Sequence, residues 1–154
     1  MRITIALVLA LAAAGCDSGP AKVPVHPVTG QVYYDGKPAV GVQVFLFPTS
    51  APTVPDIPVN PHGTTGPDGR FTLGTYTDSD GAAEGGYQVV LSWPMSEGGE
   101  AREESNQDRL LGWYTVARSR LTATIKPGAN DLPLRLPAVK LPPSESGGGI
   151  PGRN

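Results

Sequence analysis

Cys16 is the only cysteine among the 154 residues. A disulfide within the chain is excluded, because it would need a second cysteine. A structural thiol is usually buried in a hydrophobic core, whereas Cys16 stands between an apolar leader and a run of small and polar residues, 17–22. We therefore expect this thiol to be modified or joined to another molecule.

Residues 1–15 have the pattern of an export signal. Arg2 supplies a positive charge, and residues 3–14 form an apolar stretch too short to span a bilayer permanently. Small residues precede Cys16 and together with it resemble the lipobox of bacterial lipoproteins, with Ala13 where that motif usually has leucine. The resemblance implies cleavage directly before Cys16, a diacylglycerol on its thiol and often acylation of the new amino group. More than one acyl chain anchors a protein stably to a membrane.

His26 and His62 are the only histidines, which limits the capacity of the chain for acid–base catalysis. A hydrolase needs a nucleophile, a base and an orienting group brought together. His62 stands at the entrance of a predicted strand and could approach Asp68 across a hairpin, but a histidine on a surface turn is the simpler interpretation. His26 lies in a predicted tether. We therefore predict no catalytic residues and no enzyme activity.

Asp78, Asp80 and Glu84 bring carboxylates close together, and such oxygen ligands suit calcium. Their spacing is not that of an EF-hand loop, which has more ligands and ends in a bidentate glutamate. A polar turn between two strands is the interpretation that we favour, with a weak calcium site as the alternative. No pair of histidines or cysteines has the spacing of a zinc site. The sequence predicts neither a metal centre nor another cofactor.

The larger aromatic residues fall into two groups. Tyr87 and Trp93 lie on the apolar face of a strongly β-prone run, and we expect them in the core. Trp113 and Tyr114 follow a charged stretch and precede Arg118. They either pack over the core or a sheet edge, which we favour from the sequence, or form an exposed platform that binds sugar or peptide.

The composition describes one domain with tails. The formal charge is −2, and no cluster of lysine and arginine suits phosphate neutralisation, so nucleic acid is not an expected partner. The 20 glycines and 17 prolines fall largely between alternating apolar runs. That placement is typical of the turns of an all-β domain.

Alternation of apolar and polar residues predicts the first strands of that domain. Residues 28–34 and 42–47 flank an Asp-Gly-Lys-Pro turn and are expected to be neighbouring antiparallel strands. Residues 62–65 and 70–76 flank Gly-Pro-Asp-Gly, whose proline and glycine suit a tight turn. We expect these two segments to form a hairpin.

The later strands follow the same pattern. Residues 86–93 are the most β-prone run and predict a central strand. Residues 120–125 and 131–136 alternate around a further turn and are expected to form the last pair. Pro133 cannot donate to a strand ladder, which confines the final strand to an edge or to its unpaired side.

These elements set the expected domain boundaries. Five prolines between positions 48 and 61 predict a long loop, and the charged residues of 94–115 predict a solvated one. The predicted units are a signal peptide (1–15), a flexible tether (16–27), a β-sandwich domain (28–136) and a disordered Pro/Gly/Ser tail (137–154).

Four segments in this order carry a family resemblance: Val-Thr-Gly-Gln-Val from residue 28, Asp-Gly-Lys-Pro from 35, Gly-Pro-Asp-Gly-Arg-Phe from 66 and Gly-Gly-Tyr-Gln-Val from 85. They resemble the carboxypeptidase regulatory-like domain, also called transthyretin-like or prealbumin-like, as it occurs in small lipoproteins of Planctomycetes. The resemblance implies a seven-stranded antiparallel β-sandwich and no particular reaction. The chain lacks the Tyr-Arg-Gly-Ser ending of the branch that hydrolyses 5-hydroxyisourate, so none of that branch's catalytic residues is assigned to it.

The sequence thus predicts a lipid-anchored β-sandwich of the cell envelope, on the periplasmic face of the inner or outer membrane. We expect a non-catalytic structural or protein-interaction module, whose partners are the membrane, through the lipid on Cys16, and an envelope protein or glycan. The alternative is a carbohydrate- or peptide-binding lipoprotein that uses Trp113, Tyr114 and the loop 48–61.

Overall fold

A computed structural model describes residues 22–50, 60–95 and 107–140. Within these ranges the backbone forms ten β-strands and no helix, which confirms the prediction of an all-β chain. The strands are β1 (Val25–His26), β2 (Val28–Tyr34), β3 (Lys37–Pro38), β4 (Gln43–Pro48), β5 (His62–Thr64), β6 (Arg70–Thr72), β7 (Ala82–Ala83), β8 (Gly85–Ser92), β9 (Thr122–Ile125) and β10 (Asn130–Leu136).

Two four-stranded sheets account for eight of these strands. In the first sheet β2 pairs with β10, β3 and β6, and in the second sheet the order is β5-β4-β8-β9. The two remaining strands, β1 and β7, pair with each other. Buried residues of both four-stranded sheets form one hydrophobic core, so the domain is a β-sandwich.

The core follows from strand alternation, because successive side chains of a strand point to opposite faces of its sheet. In β2, β4 and β10 every second residue is buried and its neighbours are more exposed. The buried aliphatic residues of these strands are Val28, Val32, Val44, Leu46, Leu132, Leu134 and Leu136. Their removal from water is the main stabilising contribution to the sandwich.

Strand β8 confirms the prediction of a central strand, since it pairs with β4 on one side and β9 on the other. Tyr87, Val89 and Leu91 are buried on its inner face, as expected from the sequence. Trp93, just beyond the strand, is only partly buried but packs against the core.

The final strand corrects the prediction of antiparallel pairing, because β10 runs parallel to β2 with Asn130 opposite Val28. Strand β9 lies in the second sheet, and residues 126–129 carry the chain across to the first, where β10 starts beside the start of β2. The expected pairing of the last two strands is therefore wrong. The prediction for Pro133 is confirmed, since β10 is an edge strand.

The Asp-Gly turn after β2 is present, with left-handed φ values of 49° at Asp35 and 76° at Gly36. It leads only into the two-residue strand β3, and the chain then crosses to the second sheet, so the predicted pairing of β2 with β4 is wrong. The buried Thr65 hydroxyl stabilises this crossing, because it donates to the Ala39 carbonyl and accepts from the Val42 N–H.

The predicted hairpin around residues 66–69 is a chain reversal whose two arms belong to different sheets. Strand β5 pairs with β4, and β6 pairs with β2. A single bridge between His62 and Gly74 joins the two arms. Turn chemistry therefore predicted where the chain reverses but not which strand each arm joins.

Residues 25–26 were expected in the flexible tether, but they form β1 and pair with β7. Just before them, the Val23 N–H donates to the Tyr76 hydroxyl at 2.9 Å. The folded domain therefore begins before Val28. We call this side of the sandwich, formed by residues 22–27 and the loop 74–84, the entry end.

Candidate functional site

Residues 107–119 lie toward the opposite end of the sandwich, where they begin beside the end of β8 and run back along its second half, and Asp108 helps to attach them to it. One oxygen of its carboxylate accepts hydrogen bonds from the backbone N–H groups of Trp93 at 2.9 Å and Leu110 at 3.0 Å. The other oxygen accepts from the Gly112 N–H at 3.0 Å. Leu110 is fully buried in the core. The segment is therefore held by this carboxylate, by the buried Leu110 side chain and by further hydrogen bonds to β8, such as that from the Leu91 N–H to the Tyr114 carbonyl at 3.0 Å.

A left-handed turn then directs the next side chain outward. Leu111 has a φ of 54° and Gly112 a φ of 69°, and the Trp113 N–H donates to the Leu110 carbonyl at 3.0 Å. Because Leu110 points inward and the chain reverses directly after it, the Trp113 side chain is left 41% exposed.

Contacts from two directions fix the exposed indole. Its Nε1–H donates to the Lys140 carbonyl at 3.2 Å, and the Arg118 guanidinium lies 6.0 Å from the ring centroid. The neighbouring Tyr114 is partly buried against the core. Burial raises the pKa of the Tyr114 phenol, and the nearby Tyr34 raises it further, so this phenol is neutral at physiological pH.

Trp113 and Tyr114 line an open groove of about 860 Å³. Arg118, Arg120 and Leu121 continue its floor, and residues 137–140 form a wall. The Val139 N–H donates to the Tyr34 hydroxyl at 3.0 Å, which ties this wall to the first sheet. We call this side of the sandwich the groove end.

The sequence analysis named Trp113 and Tyr114 as one of two alternatives, an exposed platform, and it missed the wall. Residues 137–140 were assigned to a disordered tail, whereas the structure places them against the aromatic residues. Two hydrogen bonds hold the wall. The partners of one, Trp113 and Lys140, are 27 positions apart in the sequence, and those of the other, Tyr34 and Val139, are 105 positions apart, so local sequence patterns do not reveal them. The proposed contribution of the loop 48–61 falls mostly on residues 51–59, outside the described ranges.

Trp93 has a structural role at the same end. Its Nε1–H donates to the Val40 carbonyl at 2.8 Å, and its ring meets Tyr34 edge-on with centroids 5.3 Å apart. The Arg109 guanidinium lies 5.1 Å from the Trp93 centroid. These contacts join the crossing segment, β2 and the segment 107–119.

His62 lies at the edge of the second sheet, beside a smaller groove of about 470 Å³. Its ring stacks on Phe45 with centroids 6.1 Å apart, and its Nδ1 lies 3.2 Å from the Asn60 carbonyl oxygen. Asp68 instead accepts from the Arg70 N–H at 3.0 Å and forms an exposed ion pair with its side chain. The structure thus does not bring His62 and Asp68 into contact.

Asp80 organises the polar turn at the entry end. Its carboxylate accepts hydrogen bonds from the backbone N–H groups of Thr75 at 2.6 Å, Tyr76 at 3.1 Å and Thr77 at 3.0 Å. Burial alone would raise the pKa of this carboxyl, but these donors outweigh it and lower the pKa. A cation site needs carboxylate oxygens that face the ion, whereas the Asp80 oxygens accept hydrogen bonds from backbone N–H groups. Across residues 22–50, 60–95 and 107–140, no group of three or more His, Cys, Asp or Glu is placed to hold a metal ion.

Cys16 and the predicted signal peptide lie outside the described residues, so the lipid attachment stays a prediction. Within the described part of the chain, no helix is long and apolar enough to cross a membrane.

The chain matches no protein-family model and no curated protein. Among solved structures it is similar to a DUF3823 family protein from Parabacteroides merdae ATCC 43184, with 20% identity and a TM-score of 0.39 over 74% of this chain and 46% of that one. It is also similar to the dioxygenase domain of a dioxygenase carbohydrate-binding protein fusion from the cellulolytic bacterium Streptomyces sp. SirexAA-E. That similarity has 20% identity and a TM-score of 0.41 over 77% of this chain and 82% of the other. The chain therefore spans about half the length of the first of these proteins.

Proposed function

We propose that this protein is a non-catalytic binding module of the cell envelope, anchored to a membrane by lipid on Cys16, which recognises an envelope ligand through the groove beside Trp113. One observation carries the proposal: the Trp113 indole is 41% exposed and yet fixed by a hydrogen bond to the wall of the groove. The sequence analysis favoured packing of Trp113 over the core or a sheet edge. Its exposure favours the alternative instead, which is a surface that binds a ligand.

A fixed and exposed indole suits binding for two physical reasons. Tryptophan offers a large apolar surface, so covering it with a ligand removes much unfavourable contact with water. The bond to Lys140 and the turn at residues 110–113 already restrict the side chain, so little conformational entropy is lost when a ligand arrives.

The chemistry of the groove supports binding rather than catalysis. Its described lining contains aromatic, aliphatic and basic side chains and contributes no carboxylate, imidazole or thiol. Acid–base or nucleophilic catalysis draws on such groups. His62 lies in a different groove and has a backbone carbonyl as the partner of its ring.

The proposed anchor fits the position of the groove. Cys16 precedes Lys22 by six residues, which reach at most about 20 Å when fully extended. Residues 22–27 join the sandwich at the entry end, whereas the wall of the groove lies beyond the opposite ends of β2 and β10. A lipid on Cys16 would therefore hold the entry end near the membrane and leave the groove facing away from it.

The binding role is tested by retention of the full-length protein on isolated, detergent-washed cell-envelope fragments. We expect Trp113→Ala to reduce retention by about tenfold or more, as tryptophan anchors of interfaces commonly do, with no loss of thermal stability. The matched control is Val116→Ala, because Val116 is 53% exposed in the same segment but does not line the groove. Equal retention of Trp113→Ala and wild type would contradict the binding role and restore the structural-module interpretation.

The anchor is tested separately by detergent phase partitioning of wild type and Cys16→Ser. We expect wild type in the detergent phase and Cys16→Ser in the aqueous phase, because removal of the acyl chains removes the apolar anchor. The same partitioning of both proteins would contradict lipidation.

A further inference from the structure

From the charges around Trp113 we infer that the groove binds an anionic oligosaccharide, with its sugar rings against the aromatic residues and its carboxylates paired with Arg118, Arg120 and Lys140. This inference rests on the proposed binding function and adds the chemical class of the ligand.

The charge of the groove is opposite to that of the whole protein. The chain has a formal charge of −2, whereas the fully ionised side chains of the described lining are Arg118, Arg120 and Lys140, all positive. The one ion pair within the described residues joins Arg70 to Asp68, away from the groove. Among the described residues no carboxylate forms an ion pair with these three cations, and their positive charge favours an anionic ligand.

Arg118 links the charged and aromatic parts of the groove. Its guanidinium lies 6.0 Å from the Trp113 ring centroid, at the outer limit of a cation–π contact, so the interaction restrains the guanidinium only weakly. A ligand that covers part of the indole lies beside this guanidinium. The planar guanidinium can donate two parallel hydrogen bonds to one carboxylate, a geometry that gives both strength and orientation.

The hydrogen-bonding groups of the wall favour a saccharide over a peptide strand. A peptide that adds to a sheet edge needs a run of free backbone donors and acceptors. Here the Val139 N–H is bonded to Tyr34 and the Lys140 carbonyl is bonded to Trp113. The groove therefore offers ring faces and cationic side chains. The C–H faces of sugar rings pack on the aromatic rings, and uronate carboxylates pair with the cationic side chains.

Isothermal titration of full-length Cys16→Ser, which stays in the aqueous phase, tests this ligand class with two matched probes. Tetragalacturonate carries one carboxylate on each ring, and its fully methyl-esterified form has the same rings without the charges. We expect the acid to bind about tenfold or more tightly than the ester, since a charge-assisted pair is worth about one decade in affinity. Binding of the acid should weaken as salt is added.

Variants in the same background assign the binding to the groove. We expect Arg118→Gln and Arg120→Gln each to weaken binding of the acid several-fold and to leave binding of the ester unchanged, while Trp113→Ala weakens both. Arg70→Gln, which removes an exposed arginine outside the groove, is the matched control and should change neither.

Three results would overturn the inference: equal binding of the acid and the ester, absence of binding of the acid, or tighter binding of hexaglutamate, which would indicate an acidic peptide. None of these results contradicts the binding role of the groove. That role fails only when Trp113→Ala keeps full retention on envelope fragments, so the two failures are distinguishable.

Discussion

Each end of the sandwich is organised by one aspartate that collects three backbone N–H groups. Asp80 takes its donors from Thr75, Tyr76 and Thr77, three to five residues earlier in the same turn. Asp108 takes donors from Leu110 and Gly112, close by, and also from Trp93, 15 residues away at the end of β8. The first carboxylate closes a loop upon itself, whereas the second attaches a separate segment to a sheet.

The sequence separation between each aspartate and its donors differs at the two ends, and so does the surface that each end presents to solvent. At the entry end the carboxylate bonds within its own turn, and the Thr75 hydroxyl donates to the Gly81 carbonyl. At the groove end the attached segment carries an exposed indole beside three cationic side chains. The same local device thus closes a turn that lines part of the smaller groove at one end and helps to attach the segment that carries Trp113 at the other.

Substitution of Gly81 at the entry end should have the largest effect on stability. Gly81 has a φ of +103°, and a Cβ atom there would overlap the His26 carbonyl oxygen. Left-handed strain and overpacking together should lower the free energy of unfolding of Gly81→Ala by about 3 kcal/mol, measured by urea denaturation. Ligand binding at the groove end should be unchanged under conditions where the variant is folded.

Gly36→Ala is the control for this prediction. Gly36 has a φ of +76°, but nothing lies within 4 Å of the position of its Cβ. It should therefore show only the left-handed strain, about 1 kcal/mol. An equal loss in the two variants would show that β1 and β7 are not closely packed at Gly81.

Asp108→Ala and Asp80→Ala test the comparison of the two ends directly. Each removes the acceptor of three backbone N–H groups, all of them partly shielded from water except that of Thr77. We expect each to lower the free energy of unfolding by about 2 kcal/mol. Only Asp108→Ala should also weaken retention on envelope fragments, by about tenfold, because it removes the bonds to Leu110 and Gly112 that shape the turn directly before Trp113. Similar retention of the two variants would contradict the assigned role of Asp108.

Local sequence patterns predicted the parts of the fold that depend on local chemistry. The alternation of β8, the reversal at Asp35 and Gly36 and the edge position of Pro133 are all present. Strand partners were less predictable, because a turn fixes the reversal of the chain but not the sheet that the next segment joins. The parallel pairing of β10 with β2 follows from such a crossing.

Local sequence patterns were also of limited use for predicting the candidate site. Two adjacent aromatic residues beside a charged stretch marked Trp113 and Tyr114 as candidates, but the sequence favoured packing for them and did not predict the exposure of Trp113. Lys140 and the rest of the wall were missed, because a segment that begins a Pro/Gly/Ser-rich tail has too few apolar residues to predict order. It is ordered by bonds to Tyr34 and Trp113, which belong to distant parts of the sequence.

Acid titration should give the smallest effect and is specific to the entry end. The lowered native pKa of Asp80 means that the folded protein binds this proton less readily than the unfolded chain. The stabilisation is therefore complete above the ordinary aspartate value of 3.8 and is lost as the pH falls through the lowered native pKa. Asp80→Asn should be less stable than wild type at about pH 7, and the difference should shrink toward about pH 2, because a protonated carboxyl and an amide accept hydrogen bonds similarly.

Urea unfolding across this pH range measures the difference, with Asp78→Asn as the control. Asp78 lies in the same turn and is exposed, and its carboxylate has no hydrogen bond within the described residues. Its substitution should leave the pH dependence nearly unchanged. A stability difference for Asp80→Asn that stays constant down to about pH 2 would mean that the charge of Asp80 contributes nothing. Hydrogen bonds to a neutral acceptor would then be sufficient to close the turn at the entry end.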